Sequence, residues 1–349
     1  MTTALRPLTG YFFEDYTVGQ RFVHATPRTI TAGDVALYIA LTGARQAPNC
    51  AATVARALGY PDTPVDDLLV FHIAFGKTVP DVSYNAVANL GYADVRFTSP
   101  VFAGDTIRCE STVIGLKENS NRKTGVVYVR STAFNQRDEQ VLTWARWVMI
   151  NKRHSESPAQ DTVVPMLPKS VTEHDLVIPA GLTPRELGPA VTASERNWSN
   201  YETGEIIDHP AGMTIDESDH TLATKLYQNT ARVHFDLHHM KDSRFGRRLV
   251  YGGHVISVCR ALSFDGLENV ISIAAINGGS HLNPTFAGDT IYAKSVVLDK
   301  LPLSPDMGAL RLRLMGIKND APGQVNIHSH ELPPSVVLDL DYTVLMPRQ

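Results

Sequence analysis

The sequence predicts an α+β fold made of two similar tandem halves, each a long antiparallel sheet wrapped around a central helix. Three observations predict it: a repeated segment, a proline-rich stretch between the copies, and one order of elements shared by both halves. At 349 residues the chain is long for one domain and comfortable for two.

The repeat is visible in two pairs of matching segments. PVFAGDTI at residues 100–107 recurs as PTFAGDTI at residues 284–291, a shift of 184 residues. The run that begins DYTVGQRF at Asp15 matches the run that begins NYETGEII at Asn200, a shift of 185 residues. Matches that lie far apart yet keep a nearly constant shift indicate an internal duplication.

A proline-rich stretch divides the two copies, with six prolines between residues 158 and 189. Proline has no N–H to donate to a helix or a sheet, so this stretch predicts an extended linker over the surface. The predicted division is therefore an N-terminal half at 1–153, a linker at 154–198 and a C-terminal half at 199–349.

Each half has a capped helix followed by a run of strands. Thr31 with Asp34 three residues on, and Asp216 with Asp219, are helix-start signals, and Gly43 is suited to end the first helix. The β-rich runs that follow alternate apolar and polar residues, which favours antiparallel strands. They are DTIRCESTVIGLKE, TGVVYVRSTAFNQ and QVLTWARWVMINK in the first half, and DTIYAKSVVLDKL, GALRLRLMGIKN and SVVLDLDYTVLMPR in the second. One helix before a long meander predicts that the sheet wraps around that helix.

Composition and charge exclude several classes of partner. The net charge is -4 with basic and acidic residues mixed along the chain, so no basic tract is available for nucleic acid or a membrane surface. No apolar stretch approaches bilayer-spanning length, and the N-terminus lacks the apolar core of a signal peptide. Cys50, Cys109 and Cys259 are isolated and odd in number, which predicts a reducing compartment. We expect a cytoplasmic homodimer or higher homo-oligomer.

The segment YQNTARVHFD, from Tyr227 to Asp236, resembles the motif S/T-G-D-x-N-P-x-H-x-D of the MaoC-like dehydratases, the family of (R)-specific enoyl-CoA hydratases. The resemblance covers both halves and most of the chain. It implies a tandem double hotdog, the fold of that family, with an active site between paired hotdogs. It also implies reversible hydration of an acyl thioester of coenzyme A (CoA).

The motif is incomplete in this chain, and the two copies differ. His234 falls on the motif histidine and Asp236 on the trailing aspartate, whereas Asn229 stands where the family has its catalytic aspartate. The shift of 185 residues places Ala44 opposite Asn229 and Asn49 opposite His234. The resemblance therefore implies that the C-terminal half carries the catalytic residues and that the N-terminal motif is degenerate.

Four longer segments are similar to one branch of that family: LLVFHIAFGKTVPDVS, LYQNTARVHFDLH, FGRRLVYGGHVIS and LDLDYTVLMPR. This closer resemblance implies that the substrate is 2-methylfumaryl-CoA, interconverted with β-methylmalyl-CoA. It also implies that no metal or redox cofactor is needed, because CoA is part of the substrate.

Hydration of a conjugated thioester requires a base for water, a proton for the α-carbon and donors for the enolate oxygen. His234 suits the base because the pKa of an imidazole lies near working pH. Asn229 has no basic group, but its amide is suited to orient the attacking water. Asp236 is expected to share a proton with His234 or to orient it, because an extended strand places residues i and i+2 on one face. The structural alternatives are a hydrogen-bonding histidine, a turn-forming asparagine and a surface carboxylate.

The turn Tyr251-Gly252-Gly253 is the candidate contact for the thioester. It sits where the family has a glycine before a helix, so a free N–H of Gly252 suits an oxyanion hole. The glycines permit close approach of the substrate, and Tyr251 and Gly253 are included as substrate-binding candidates. The alternative is a tight turn with no catalytic role.

A free carboxylate on the substrate needs a paired cation in a partly dry site. Arg232 is the leading candidate because it lies two residues before His234, and Arg247 and Arg248 are the reserves. The alternative is that all three arginines are surface residues or contacts to the phosphates of CoA.

Three other functions remain open from the sequence: a hydratase of different substrate range, a hotdog thioesterase, and a non-catalytic acyl-CoA-binding protein. Release of free thiol from an acyl-CoA distinguishes the thioesterase from a hydratase. The cluster of His234, Asp236, His238 and His239 resembles metal ligation, but its spacing fits no defined metal motif. We therefore expect no metal.

Overall fold

The structure, a computed structural model, describes residues 7–327, 329 and 331–349. The N-terminal half contains β1 (Arg21–Thr29), α1 (Ala32–Thr42), α2 (Ala47–Cys50), α3 (Ala52–Ala57), α4 (Asp67–Val82), β2 (Ala86–Phe97), β3 (Thr106–Glu118), β4 (Thr124–Phe134) and β5 (Gln140–Asn151). The connecting segment contains α5 (Pro189–Thr192). The C-terminal half contains β6 (Ile206–Thr214), α6 (Glu217–Leu226), α7 (Arg232–Phe235), α8 (Leu237–Met240), α9 (Gly252–Leu262), β7 (Ser272–His281), β8 (Thr290–Pro302), β9 (Met307–Lys318) and β10 (Val336–Pro347). Short 3-10 turns lie at Phe13–Asp15, Glu173–Asp175, Pro184–Glu186, Trp198–Asn200 and Pro322–Gln324.

The ten strands of the described residues form one antiparallel sheet in the order β1-β3-β4-β5-β2-β7-β10-β9-β8-β6. From one edge to the centre the order is β1-β3-β4-β5-β2, and from the other edge it is β6-β8-β9-β10-β7, which is the same order in the second copy. The duplication in sequence is therefore also a duplication in space. The halves join at the centre, where Tyr92 of β2 pairs with Gly279 of β7 and Val95 pairs with Ile276. The six β-rich runs correspond to β3, β4, β5, β8, β9 and β10, and the predicted α+β class is confirmed.

The central helices differ from the expected ones. The sheet packs around α4, in which 14 of 16 residues are buried, and around α9, whose residues after Gly252 are all buried. The capped helix α1 buries only Tyr38, Leu41 and Thr42. The expectation was wrong because it relied on the helix-start signal of α1, a capping box that α4 and α9 lack, and such a signal does not show which helix the sheet covers.

The capped helices begin where the sequence indicates. In α1 the hydroxyl of Thr31 accepts from the N–H of Asp34, whose carboxylate accepts from the N–H of Thr31 at 2.8 Å. Gly43 ends this helix with φ of 65°, a conformation that glycine adopts without strain. Helices α1 and α6 contact each other, and no helix in the described part of the chain is long and apolar enough to cross a membrane.

The connecting segment at 154–198 runs mostly exposed over the surface, as expected, but three of its residues are buried: Val171, Pro184 and Leu187. Val163 forms a β-bridge with Leu116, and Leu187 is only 1% exposed. Leu187 belongs to an apolar cluster with Tyr60 of the N-terminal half and Ile271 of the C-terminal half. The segment therefore seals part of the seam between the halves.

Candidate active site

The main cavity lies where the two halves meet and has a volume of ≈ 490 Å³. The N-terminal half contributes side chains of α4, the start of β2 and two residues of β5, Arg146 and Asn151, to its wall. The C-terminal half contributes Asn229, residues 231–234, residues 249–253 and the end of β7. Neither half encloses this space alone, so the halves build the cavity together.

His234 lies in α7 and presents one ring nitrogen to the cavity. Its Nδ1 lies 2.9 Å from the backbone carbonyl oxygen of Leu249, and a carbonyl only accepts, so Nδ1 carries the proton. Nε2 has no partner among the described side chains and therefore offers a lone pair to a ligand. Burial lowers the pKa of His234 to about 4, which keeps the imidazole neutral in the free protein.

Asn229 and Tyr251 stand beside His234. Asn229 is 2% exposed, and its side-chain oxygen accepts from the N–H of Ala231 at 3.1 Å. Its side chain also acts electrostatically on the phenol of Tyr251. The ring of Tyr251 meets the His234 ring edge-on, with centroids 5.5 Å apart. The structure thus brings these three predicted residues together on one wall.

Gly252 is the first residue of α9 and lines the same cavity. Its N–H has no acceptor among the described residues, as is usual in the first turn of a helix. A Cβ at this position would lie 2.4 Å from the ring of His281, so only glycine fits against that ring. At Gly253 a Cβ would lie 2.4 Å from the Tyr251 ring and 2.6 Å from His72. Gly253 thus allows the rings around the cavity to pack closely.

The structure corrects the expected role of Asp236. Residues Arg232–Phe235 are helical rather than extended, so the two-residue spacing does not place Asp236 on the face of His234. The Asp236 carboxylate instead accepts from the N–H of His239 at 2.9 Å and caps α8. That hydrogen bond lowers the pKa of Asp236, whose side chain is exposed and does not line the cavity. The Leu249 carbonyl orients His234 in its place.

The three predicted arginines occupy different places. Arg232 is exposed at the mouth of the cavity, where its guanidinium hydrogen-bonds the hydroxyl of Tyr84 at 3.1 Å. Arg248 is paired with Glu217 of α6 and does not line the cavity, so its expected contact with the substrate is not supported. Arg247 stacks on Phe286, with its guanidinium carbon 3.9 Å from the ring centroid.

Two groups in the cavity were not predicted. His281 shares a hydrogen bond of 3.2 Å with the hydroxyl of Tyr92, and burial lowers the pKa of His281 to about 4. Arg146 of β5 lines the cavity although it is only 1% exposed. A sequence signal existed for Arg146, because it stands between Trp144 and Val148 on the inward face of an alternating strand.

The matching place in the N-terminal half is closed. Asn49 donates to the carbonyl of Pro64 at 3.1 Å, the same contact that His234 makes to Leu249 one repeat later. Asp67 stands where the second copy has Gly252, and its carboxylate accepts from the N–H of Ile273 at 2.8 Å. The space left there is ≈ 30 Å³ and is bordered by residues 177 and 179 of the connecting segment. The N-terminal copy thus keeps the architecture but lacks both the histidine base and a cavity large enough for an acyl group.

The histidine-rich stretch does not converge on a common point. Within the described residues, no group of three or more histidine, cysteine, aspartate or glutamate side chains is arranged to hold a metal ion. His238 instead lies 3.4 Å from the ammonium group of Lys241, and Asp236 is occupied as a helix cap.

Comparison with known sequences gives consistent matches along nearly the whole chain. The family described as Mesaconyl-CoA hydratase matches residues 5–322. A β-methylmalyl-CoA dehydratase of Chloroflexus aurantiacus is 55% identical over 351 residues, covering 97% of this chain and 98% of the relative. A mesaconyl-CoA hydratase of Cereibacter sphaeroides is 53% identical over 341 residues, with the same coverage of both chains.

Solved structures show the same architecture. The crystal structure of a MaoC domain protein dehydratase from Chloroflexus aurantiacus J-10-fl superposes with a TM-score of 0.95 at 54% identity and covers 100% of both chains. A Mycobacterium tuberculosis protein with a double hotdog fold superposes with a TM-score of 0.79 at 24% identity, covering 97% of this chain and 99% of that one. The tandem double hotdog predicted from the sequence is therefore confirmed.

Proposed function

This chain belongs to the family of mesaconyl-CoA hydratases, and we propose on that premise that it interconverts 2-methylfumaryl-CoA and β-methylmalyl-CoA. The reaction is the reversible hydration of a CoA thioester, so the protein is a hydro-lyase. The observation that carries the proposal for the site is the neutral His234 with its free Nε2, in one cavity with the unpaired N–H of Gly252.

In the hydration direction, His234 acts as the general base. Its Nε2 takes a proton from water while the water oxygen bonds to the β-carbon of the enoyl group. The electron pair of the double bond moves toward the thioester and forms an enolate. The N–H of Gly252, at the positive end of α9, donates to the enolate oxygen. Asn229 orients the water through its amide group, whose oxygen accepts from the N–H of Ala231.

The reaction ends when the enolate collapses and its α-carbon takes the proton from the His234 imidazolium. One water molecule has then been added across the double bond, and the histidine is neutral again. The low pKa of His234 keeps the base free in the empty site. Negative charge that develops on the substrate raises that pKa during the reaction, which favours the first proton transfer. The same groups act in reverse order during dehydration.

We assign the acyl group to the interior of the cavity and CoA to its mouth. Arg232 is exposed there and held by Tyr84, which suits contact with the negatively charged nucleotide end of CoA. The proposal requires neither a metal nor a redox cofactor. A cytoplasmic location is proposed from the three free cysteines, and a homo-oligomer from the two edge strands, β1 and β6, that end the sheet.

The test follows the absorbance of the conjugated enoyl thioester across a small panel of enoyl-CoA substrates. We expect rapid loss of absorbance with 2-methylfumaryl-CoA, a hydroxyacyl-CoA product of the mass of substrate plus water, and no release of free thiol. Protein dialysed against a chelator is expected to react at the same rate. Thiol release without hydration would contradict the proposal, and faster hydration of crotonyl-CoA than of 2-methylfumaryl-CoA would contradict the assigned substrate.

A further inference from the structure

Arg146 is buried, and among the residues that the structure describes no carboxylate forms an ion pair with its guanidinium. Its guanidinium donates to the hydroxyl of Thr78 at 2.8 Å and lies 3.5 Å from the hydroxyl of Ser83. Its Nε–H has no acceptor among the described side chains and backbone groups, and its guanidinium carbon lies 4.2 Å from the centroid of the Phe75 ring. Within the described residues, Arg146 forms no ion pair with a carboxylate.

The nearby acidic group is already engaged elsewhere. Asp81 lies on the same helix as Thr78, and its carboxylate is 2.7 Å from Nδ1 of His24. The titratable side chains with the largest electrostatic effect on the Arg146 guanidinium are the phenols of Tyr251 and Tyr16. Both phenols are neutral near pH 7, because burial raises their pKa values further above neutrality. The described part of the chain therefore holds an arginine charge against the cavity with no carboxylate paired to it, an arrangement that costs stability unless a ligand supplies one.

We propose that Arg146 is the receptor for the free carboxylate of the acyl group, and that it selects acidic enoyl thioesters over neutral ones. This inference rests on the proposed substrate, whose carboxylate is bonded to the carbon that water attacks. The receptor must therefore lie close to the base. Tyr251, which interacts with Arg146, contacts the ring of His234 edge-on, so the three line one part of the cavity.

The charge of Arg146 also serves the chemistry. A free carboxylate next to the β-carbon repels an incoming hydroxyl group that carries partial negative charge. Pairing with the guanidinium neutralises the carboxylate and removes this repulsion. Arg232 cannot do this as well, because it is exposed at the mouth, where water screens its charge. Burial thus makes Arg146 the more effective determinant of specificity.

Turnover provides the first test. Arg146→Met, Arg146→Lys and Arg232→Met are compared with the unmodified protein on 2-methylfumaryl-CoA and on crotonyl-CoA, which lacks the carboxylate. We expect Arg146→Met to lose about 10²-fold or more in kcat/KM on the acidic substrate, and little on crotonyl-CoA. Arg146→Lys should lose less, because it keeps the charge without the planar fork. Arg232→Met should lower kcat/KM by the same factor on both substrates. Equal losses of kcat/KM on the two substrates in folded Arg146→Met would overturn the proposal.

Binding provides a second test that does not depend on catalysis. The saturated thioesters succinyl-CoA and butyryl-CoA have four-carbon acyl groups and differ at the end by a carboxylate. We expect the unmodified protein to bind succinyl-CoA more tightly, and Arg146→Met to lose about 10²-fold of that preference. If Arg146→Met does not fold, the same binding comparison is made with Arg146→Lys. A preference for succinyl-CoA equal to that of the unmodified protein overturns the inference. A protein that hydrates no acidic enoyl-CoA but keeps this Arg146-dependent preference would refute the proposed function alone.

Discussion

Replacement of Gly252 by alanine tests whether close approach to the N-terminus of α9 is required for turnover. The added Cβ would lie 2.4 Å from Cε1 and 2.5 Å from Nε2 of His281, whereas real Cβ contacts are essentially never under 3.0 Å. The His281 ring must therefore retreat by more than half an ångström, which disturbs its 3.2 Å hydrogen bond to Tyr92. Overpacking of this kind costs about 1–3 kcal/mol of the free energy of unfolding.

The effect on turnover should exceed the effect on stability. The new methyl group stands beside the N–H that is proposed to donate to the enolate oxygen, and removal of one such donor costs about 10²–10³ in kcat. We expect Gly252→Ala to lose about 10²-fold in kcat, while the melting temperature falls by only a few degrees in a chain of this size.

The assay is the absorbance of the enoyl thioester, read for kcat and KM with a thermal melt of each variant. Gly278→Ala is the matched control, because an added Cβ there meets nothing within 4 Å and the residue does not line the cavity. We expect this control to keep both kcat and melting temperature. A folded Gly252→Ala protein with kcat within about threefold of normal would refute the proposed role of this helix terminus.

Three further predictions follow from the same geometry. His234 is the proposed base, and burial lowers its pKa to about 4. We therefore expect kcat/KM on 2-methylfumaryl-CoA to stay constant as the pH falls from 7 and to decline only as the pH passes through about 4. A decline centred near pH 6.5 would show that another group controls the reaction. Asp236→Ala should keep kcat within about threefold and lower the melting temperature slightly, since Asp236 caps α8. A loss of about 10²-fold in kcat in the folded variant would show that Asp236 takes part in catalysis. Residues 1–153 and 185–349 expressed separately should aggregate or form domain-swapped dimers, because each half exposes a central strand, β2 or β7. A half that is monomeric in gel filtration and melts cooperatively in calorimetry would contradict this prediction.

The duplication and most of the sheet were predictable because they leave local signals. Six strands have the two-residue alternation of a sheet with one covered face, and the helix caps at Thr31 and Asp216 are read from three-residue spacings. Helices α4 and α9 were not identified as the central ones, because neither begins with a capping box of the kind that marks α1 and α6. Contacts between residues distant in sequence decide which helix the sheet wraps around.

The candidate site was predictable only where one segment holds it. His234, Asn229 and Gly252 come from short segments of the C-terminal half, and the structure places all three at the cavity. Asp236 was misplaced because the spacing argument assumed a strand where the chain forms short helices. Arg146 comes from the other half, and only the pairing of β2 with β7 brings its strand to the cavity. The sequence therefore favoured Arg232, which is close to His234 along the chain but lies at the mouth.

The role proposed for His234 is that of the one base in a site that both halves enclose. It is tested most directly by turnover of 2-methylfumaryl-CoA with His234→Ala and with Asn49→Ala, its counterpart one repeat earlier. Both residues hydrogen-bond a backbone carbonyl, so both substitutions remove a similar structural contact, but only His234 faces the main cavity. We predict that His234→Ala loses about 10²-fold or more in kcat, whereas Asn49→Ala stays within about threefold. Near-normal turnover by a folded His234→Ala protein, or equal losses in the two variants, would contradict the account.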